Sequence, residues 1–246
     1  MRRVVLAALF VACAAAGAFA QADKPLSSLA IAVACAPPPT YEPAPSNALR
    51  IAGSQDPAPR TLFGDRDLLV IGGGTAAGVE LGQQFFIRRD ITYGTSKAPH
   101  GARTLGWLRI VAVNETTSIG LVNQVCGGIV VGDYLAKFVV PVVSADIEKD
   151  ETTGQPDFTT LGHIVAGNED RIAVGAGDLV LIDWGQSQGL ASGARFAIYR
   201  DAGVAGLPLA SVGEGVVIST SSTMALTRVT RARDAIYSGD YVALRR

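Results

Sequence analysis

Residues 67–90 read DLLVIGGGTAAGVELGQQFFIRRD, and residues 178–201 read DLVLIDWGQSQGLASGARFAIYRD. The two align without a gap at an offset of 111, and ten of the 24 positions are identical. Among the identities are Gly74 with Gly185, Gly78 with Gly189, Gly82 with Gly193, Phe85 with Phe196 and Arg89 with Arg200. A segment of different length follows in each copy, residues 91–105 and 202–212, after which the offset falls to 107. Residues 106–136 then match residues 213–243, down to the triplets Gly132-Asp133-Tyr134 and Gly239-Asp240-Tyr241. Self-similarity at a nearly fixed spacing marks one structural unit present twice.

Each copy reads as strand after strand. Short apolar or alternating runs, separated by Gly, Asn and Asp, lie at 68–71, 85–88, 108–113, 118–122 and 134–140. The second copy repeats them at 179–182, 195–199, 215–219, 225–229 and 241–244, and an introductory strand precedes each copy at 49–52 and 163–166. Such runs favour half-buried strands. Five or six of them in about 80–90 residues suit a small barrel. The expected fold class is all-β, with two tandem small β-barrel domains, SH3-like or similar. The expected organisation is a signal peptide at 1–20, a Pro-rich linker at 21–48, a first, degenerate module at 49–143, a linker at 144–161 and a second module at 162–246. The spacing of Gly74, Gly78 and Gly82, and of Gly185, Gly189 and Gly193, predicts two tight turns with φ > 0 before the next strand. Gly132-Asp133 and Gly239-Asp240 predict turns before the last strand, with Asp bonding the nearby backbone.

The first twenty residues, MRRVVLAALFVACAAAGAFA, carry Arg2 and Arg3, an uncharged apolar run and an Ala18-Phe19-Ala20 site. This has the form of a Sec signal peptide, and its apolar run is shorter than the ~20 residues of a spanning helix. Cleavage there removes two of 21 basic residues and no acid, leaving 19 against 22 and a net charge of −3. A periplasmic or envelope-associated chain with no transmembrane segment follows. Cys35 and Cys126 then remain, and an oxidising compartment permits one disulfide between them. A second reading is lipidation of Cys35, which ends a small-residue stretch before the Pro-rich residues 36–48.

Hydrophobic residues make up 48% of the chain and charged residues 17%, which excludes a charge-rich disordered protein. The near-neutral charge also excludes a nucleic-acid partner held through phosphates. Residues 68–78, LLVIGGGTAAG, imitate a dinucleotide-binding turn through Gly72, Gly74 and Ala77 or Gly78, with Asp90 near the acidic position. A crossover helix is required there, and the intervening 75–84 contains two glycines. The second copy has Asp183 and Trp184 in place of Gly72 and Gly73. No cofactor is expected. His100 and His163 have no Cys or His at ligand spacing, so no metal site is expected. No G-x-S-x-G elbow is present. The acidic group Asp146, Glu148, Asp150 and Glu151 lacks the spacing of a calcium loop and reads as a solvated linker. Arg228, Arg231, Arg233, Arg245 and Arg246 make the C-terminus mildly basic, either a solvated strand face or a contact for an anionic envelope polymer.

The second copy resembles a domain at the C-terminus of the flagellar assembly protein T family, also found after LysM domains in bacterial envelope proteins. The resemblance rests on Gly177-Asp178, the Gly185/Gly189/Gly193 ladder, Phe196-Ala197-Ile198-Tyr199-Arg200, Leu207-Pro208, Gly213-Glu214, Ala225 and the closing 236–242, IYSGDYV. It implies a small envelope β-barrel without enzymatic activity and carries over no catalytic or ligand-binding residue. The function expected is an exported, non-enzymatic binding or scaffolding protein whose partner is an envelope protein or cell-wall polymer. The segments 91–105 and 202–212 are its expected contact loops. The alternative is an exported hydrolase with a site between the two modules.

Overall fold

The computed structural model describes residues 26–93, 100–144, 147, 153–167 and 171–246. The stretch expected to be a signal peptide and the acidic residues Asp146, Glu148, Asp150 and Glu151 lie outside them. The regular structure of the described residues is mostly antiparallel sheet. The first module contains β1 (Ile51–Ser54), β2 (Leu68–Ile71), β3 (Gln84–Thr92), β4 (His100–Val113), β5 (Ser118–Val125) and β6 (Tyr134–Lys137), ordered β1-β2-β5-β4-β3-β6. The second contains β7 (Gly162–Gly167), β8 (Ala173–Val174), β9 (Leu179–Ile182), β10 (Arg195–Arg200), β11 (Ala210–Thr220), β12 (Ala225–Ala232), β13 (Ile236–Tyr237) and β14 (Tyr241–Leu244). Six of these close into a barrel ordered β10-β11-β12-β9-β7-β14, with β8 and β13 paired beside it.

The two orders are the same path, but only the second is sealed by a ladder. There β14 pairs with β7 through Tyr241–His163 and Val242–Gly162. In the first module the seam is one bridge, Arg50–Tyr134, flanked by Leu135 N–H donating to Leu49 O at 2.8 Å and Ile51 N–H to Asp133 O at 2.9 Å. The expectation of two closed barrels therefore holds for the second copy. The first is a six-stranded sheet curled until its edges touch.

Alternation decides which side chains fill the interiors. Val180, Ile182, Phe196, Ile198, Val217, Val229 and Val242 are buried in the second core. Ile71, Ile87, Leu105, Leu108, Ile110 and Val122 do the same in the first. Each contributes on the order of 1.5–3 kcal/mol of apolar burial. The glycine ladders serve two different needs. Gly78, Gly82, Gly189 and Gly193 have φ between 77° and 85°, the left-handed turns that the spacing predicts. Gly74 and Gly185 are instead points of close approach. A Cβ would lie 2.1 Å from Asn114 O at the first and 2.5 Å from Ser221 O at the second. Between each pair runs a single 3-10 turn, Thr75–Ala77 or Gln186–Gln188, so the apparent dinucleotide fingerprint has no crossover helix.

The linker expected at 21–48 contains a helix, α1 (Ser28–Cys35), capped by the Ser27 side chain accepting from Ala30 N–H at 3.2 Å. Its sequence, SLAIAVAC, is apolar on every side because both sides are covered. Leu26, Ile31 and Ala34 pack on Phe86, Trp107 and Phe138 of the first module. Ala32, Val33 and Ala36 pack with Leu179, Leu181, Val216 and Ile218 on the outside of the second barrel. A disulfide from Cys35 to Cys126 pins α1 to the end of β5. The small residues before Cys35 are thus those of a helix held between two sheets, and a sulfur in that bond is not available to a lipid.

The segment 91–105, read as a loop, is largely a hairpin, with β3 running to Thr92 and β4 starting at His100. Residues 94–99 lie outside the described ones. In the second copy residues 201–209 remain a loop, with Gly203 and Gly206 at positive φ.

Candidate functional site

Arg89 and Arg200, identical in the two copies, each close on the Asp of the final turn. Arg89 donates from Nε and Nη2 to the Asp133 carboxylate at 2.7 and 2.8 Å, and from Nη2 to Gly128 O at 3.0 Å. Arg200 donates from the same atoms to Asp240 at 2.8 and 2.7 Å, and to Ala235 O at 2.5 Å. Each carboxylate also accepts a backbone N–H, from Val130 or from Tyr237, at 2.8 Å. Asp133 is 3% exposed and Asp240 5%. These hydrogen bonds push both guanidinium groups above their usual pKa, against the opposing effect of burial. A bidentate charge-assisted pair of this kind is directional. It fixes the turn at Gly132 or Gly239, both at φ 92°, to the strand that runs past it.

A second repeated pair lies upstream. Asp67 accepts from Gly64 N–H at 2.7 Å and from Arg60 at 3.1 Å; Asp178 accepts from Gly175 N–H at 2.8 Å and from Arg171 at 3.1 Å. Arg60 and Arg171, like Gly64 and Gly175, are 111 residues apart, so the repeat extends before the segment that the alignment identified. Of these carboxylates, Asp133 and Asp240 were legible as turn residues. Their arginine partners were not, because 40 and 44 residues separate the ends of the buried pairs.

The residues common to both copies thus hold turns and cores; they do not converge on a cavity. His163 bonds Asp183 at 3.0 Å and packs beside Tyr241. Arg245 pairs with Glu214 at 2.8 Å, and Arg246 with Asp157 at 3.3 Å, so two of the C-terminal arginines are engaged within the module. Among the described residues no group of three potential metal ligands is present, and no helix is long and apolar enough to cross a membrane.

Two cavities combine polar and apolar walls. One, of about 730 Å³, lies between the modules, with Ile91, Tyr93 and Arg103 on one wall and Val165, Arg171 and Tyr237 on the other. Burial pushes the Tyr93 hydroxyl up to about 12, against the nearby Arg103, and it has no hydrogen-bond partner among the described residues. A hydroxyl raised this way stays protonated near neutral pH and does not act as a base there. The other, of about 500 Å³, lies between the Pro-rich residues 38–45 and β6, with Arg88, Tyr134 and Lys137 on its floor. Burial pushes the Tyr134 hydroxyl up to about 12, aided by Asp90, and lowers Arg88 from its usual value.

No protein-family model matches the chain, and no curated protein matches it.

Proposed function

We propose that this chain is an exported, non-enzymatic envelope protein that binds or scaffolds through its two β-modules, its partner an envelope protein or cell-wall polymer. The reading is carried by the division of labour between the copies. Side chains common to both stabilise the fold, while the outward faces differ, as expected of a duplicated support adapted to separate contacts. The Cys35–Cys126 disulfide supports an oxidising compartment. The leader-like first twenty residues and the resemblance to the flagellar assembly protein T C-terminal domain point to the envelope.

The test is co-sedimentation of residues 21–246 with isolated peptidoglycan sacculi across a salt series, run beside crosslinking in cells. Saturable, salt-sensitive sedimentation assigns the wall as partner, and specific crosslinks to an envelope protein assign a protein partner. Absence of both sinks the reading.

A further inference from the structure

Cys35 and Cys126 are both half-buried, so their disulfide is not sealed inside a core. The two cysteines line a cavity of about 210 Å³. Pro37, Gly127 and Gly128 form neighbouring parts of its wall, and none of these places a long side chain over the bond. A disulfide within reach of solvent exchanges more readily than one enclosed by apolar packing.

The bond ties an element to the first module and is not a part that the module requires. Position 126 corresponds to Arg233 in the second copy, whose barrel closes with no bridge at that place. The Arg–Asp locks on the final turn are common to both copies. What Cys126 holds is the last residue of α1.

Little else that is polar holds α1 there. Its hydrogen bonds from Ala30, Ile31 and Ala36 N–H are internal to the helix and its cap. Among the described residues, the hydrogen bond from this segment to the first module is Thr104 O–H to Ala36 O, at 3.4 Å. The rest is apolar contact with Phe86, Trp107 and Phe138. The Pro-rich residues 36–48 separate α1 from β1, so the helix can shift without pulling on the sheet. An eight-residue helix has little stability of its own and depends on its covers.

We propose that the Cys35–Cys126 disulfide is a redox switch: exchange with an external dithiol releases α1 from the first module and uncovers Phe86, Trp107 and Phe138. A thiolate of the dithiol attacks one sulfur of the pair. The Cys35–Cys126 bond breaks, and the other cysteine leaves as a thiolate. The second sulfur of the dithiol then displaces the first cysteine. Two electrons pass from the dithiol, which becomes a disulfide, to the pair, which becomes two thiols carrying the dithiol's two protons. The switch goes beyond the binding role proposed above and does not depend on it.

The test is reduction of residues 21–246, whose only cysteines are Cys35 and Cys126, under native conditions. Dithiothreitol is used first, and reduced thioredoxin second as a folded protein dithiol. Iodoacetamide traps the freed thiols for mass spectrometry. The rate is expected to rise in proportion to dithiol and to lie within about tenfold of that in the urea-unfolded chain. Reduction by both reagents assigns a protein dithiol as reductant, and reduction by dithiothreitol alone a small one. Hydrogen exchange at the Ile31 and Ala36 amides is expected to speed up about tenfold or more, while the Val217 and Val229 amides of the second barrel keep their protection. In W184F, the emission of Trp107, 7% exposed in the oxidised chain, is expected to move to longer wavelength and to return on reoxidation. C35S with C126S is expected to reproduce the reduced state and to make dithiol without effect. The proposal is overturned if neither reagent reduces the native chain, or if the rate levels off as dithiol rises, which would mean that the bond opens only after unfolding. It is equally overturned if exchange at α1 is unchanged by reduction, or if the Ile110 and Val122 amides lose protection with it, which would make the bond a structural support of the whole module.

Discussion

Phe86, Trp107 and Phe138 on the outside of the first module correspond, position for position, to Ala197, Glu214 and Arg245 on the second. The first set is aromatic and lies under α1; the second is a small alanine and an ion pair, Glu214 and Arg245 at 2.8 Å. The opposite face reverses the pattern. Leu179, Leu181, Val216 and Ile218 are buried against α1, while their counterparts Leu68, Val70, Arg109 and Val111 lie towards solvent, Leu68 at 38% and Val111 at 36% exposure. One helix thus covers different faces of two units that share a fold. Inward residues and turn locks define the unit, and outward residues decide what each copy meets.

The chain has two tryptophans, Trp107 in the first module and Trp184 in the second, so each module's unfolding can be followed by itself in a W184F or W107F background. The largest separation between the modules is expected on removing the disulfide by C35S with C126S. A bridge spanning 91 residues is worth about 4.5 kcal/mol in loop-closure entropy, and the loss is expected at Trp107, where α1 is pinned. An equal loss at Trp184 would show that α1 supports both modules alike.

D133A and D240A come next, each leaving an arginine without its carboxylate and a backbone N–H without its acceptor. A loss of roughly 3 kcal/mol is expected in the module that carries the change. Urea melts that move the other module instead would break the equivalence of the two locks.

G78A and G189A are expected to cost about 1–2 kcal/mol each, and by similar amounts. The φ values of 77° and 84° match, and both sites are open to a methyl group, so the cost is conformational. Melts showing unequal losses would mean that the turns differ in more than their angles.

Y93F is expected to give the smallest change. Its hydroxyl has no partner among the described residues, so its removal should be nearly neutral at pH 7. Its pKa rises from 10.0 to about 12 in the folded chain. The stability linked to that shift is fully present below pH 10 and is lost as pH rises through about 12. Y93F is therefore expected to lessen the decline over that window. An undiminished decline would assign it to Tyr134, whose hydroxyl is raised to the same range.

The sequence by itself determined the repeat, the all-β class, several strand limits and the left-handed turns. Strands 68–71, 179–182 and 241–244 match the observed limits, because alternation and turn glycines act over a few residues. Only the tertiary structure decided that Arg89 and Arg200 close on Asp133 and Asp240, that Cys35 meets Cys126, and that residues 28–35 form a helix. A helix of eight residues has little stability alone and forms because two sheets cover it. The single-bridge seam of the first module and the pairing of residues 155–157 with the end of β14 were equally illegible. Both depend on which distant segment lies beside the last strand, a competition among long-range contacts that no local spacing records.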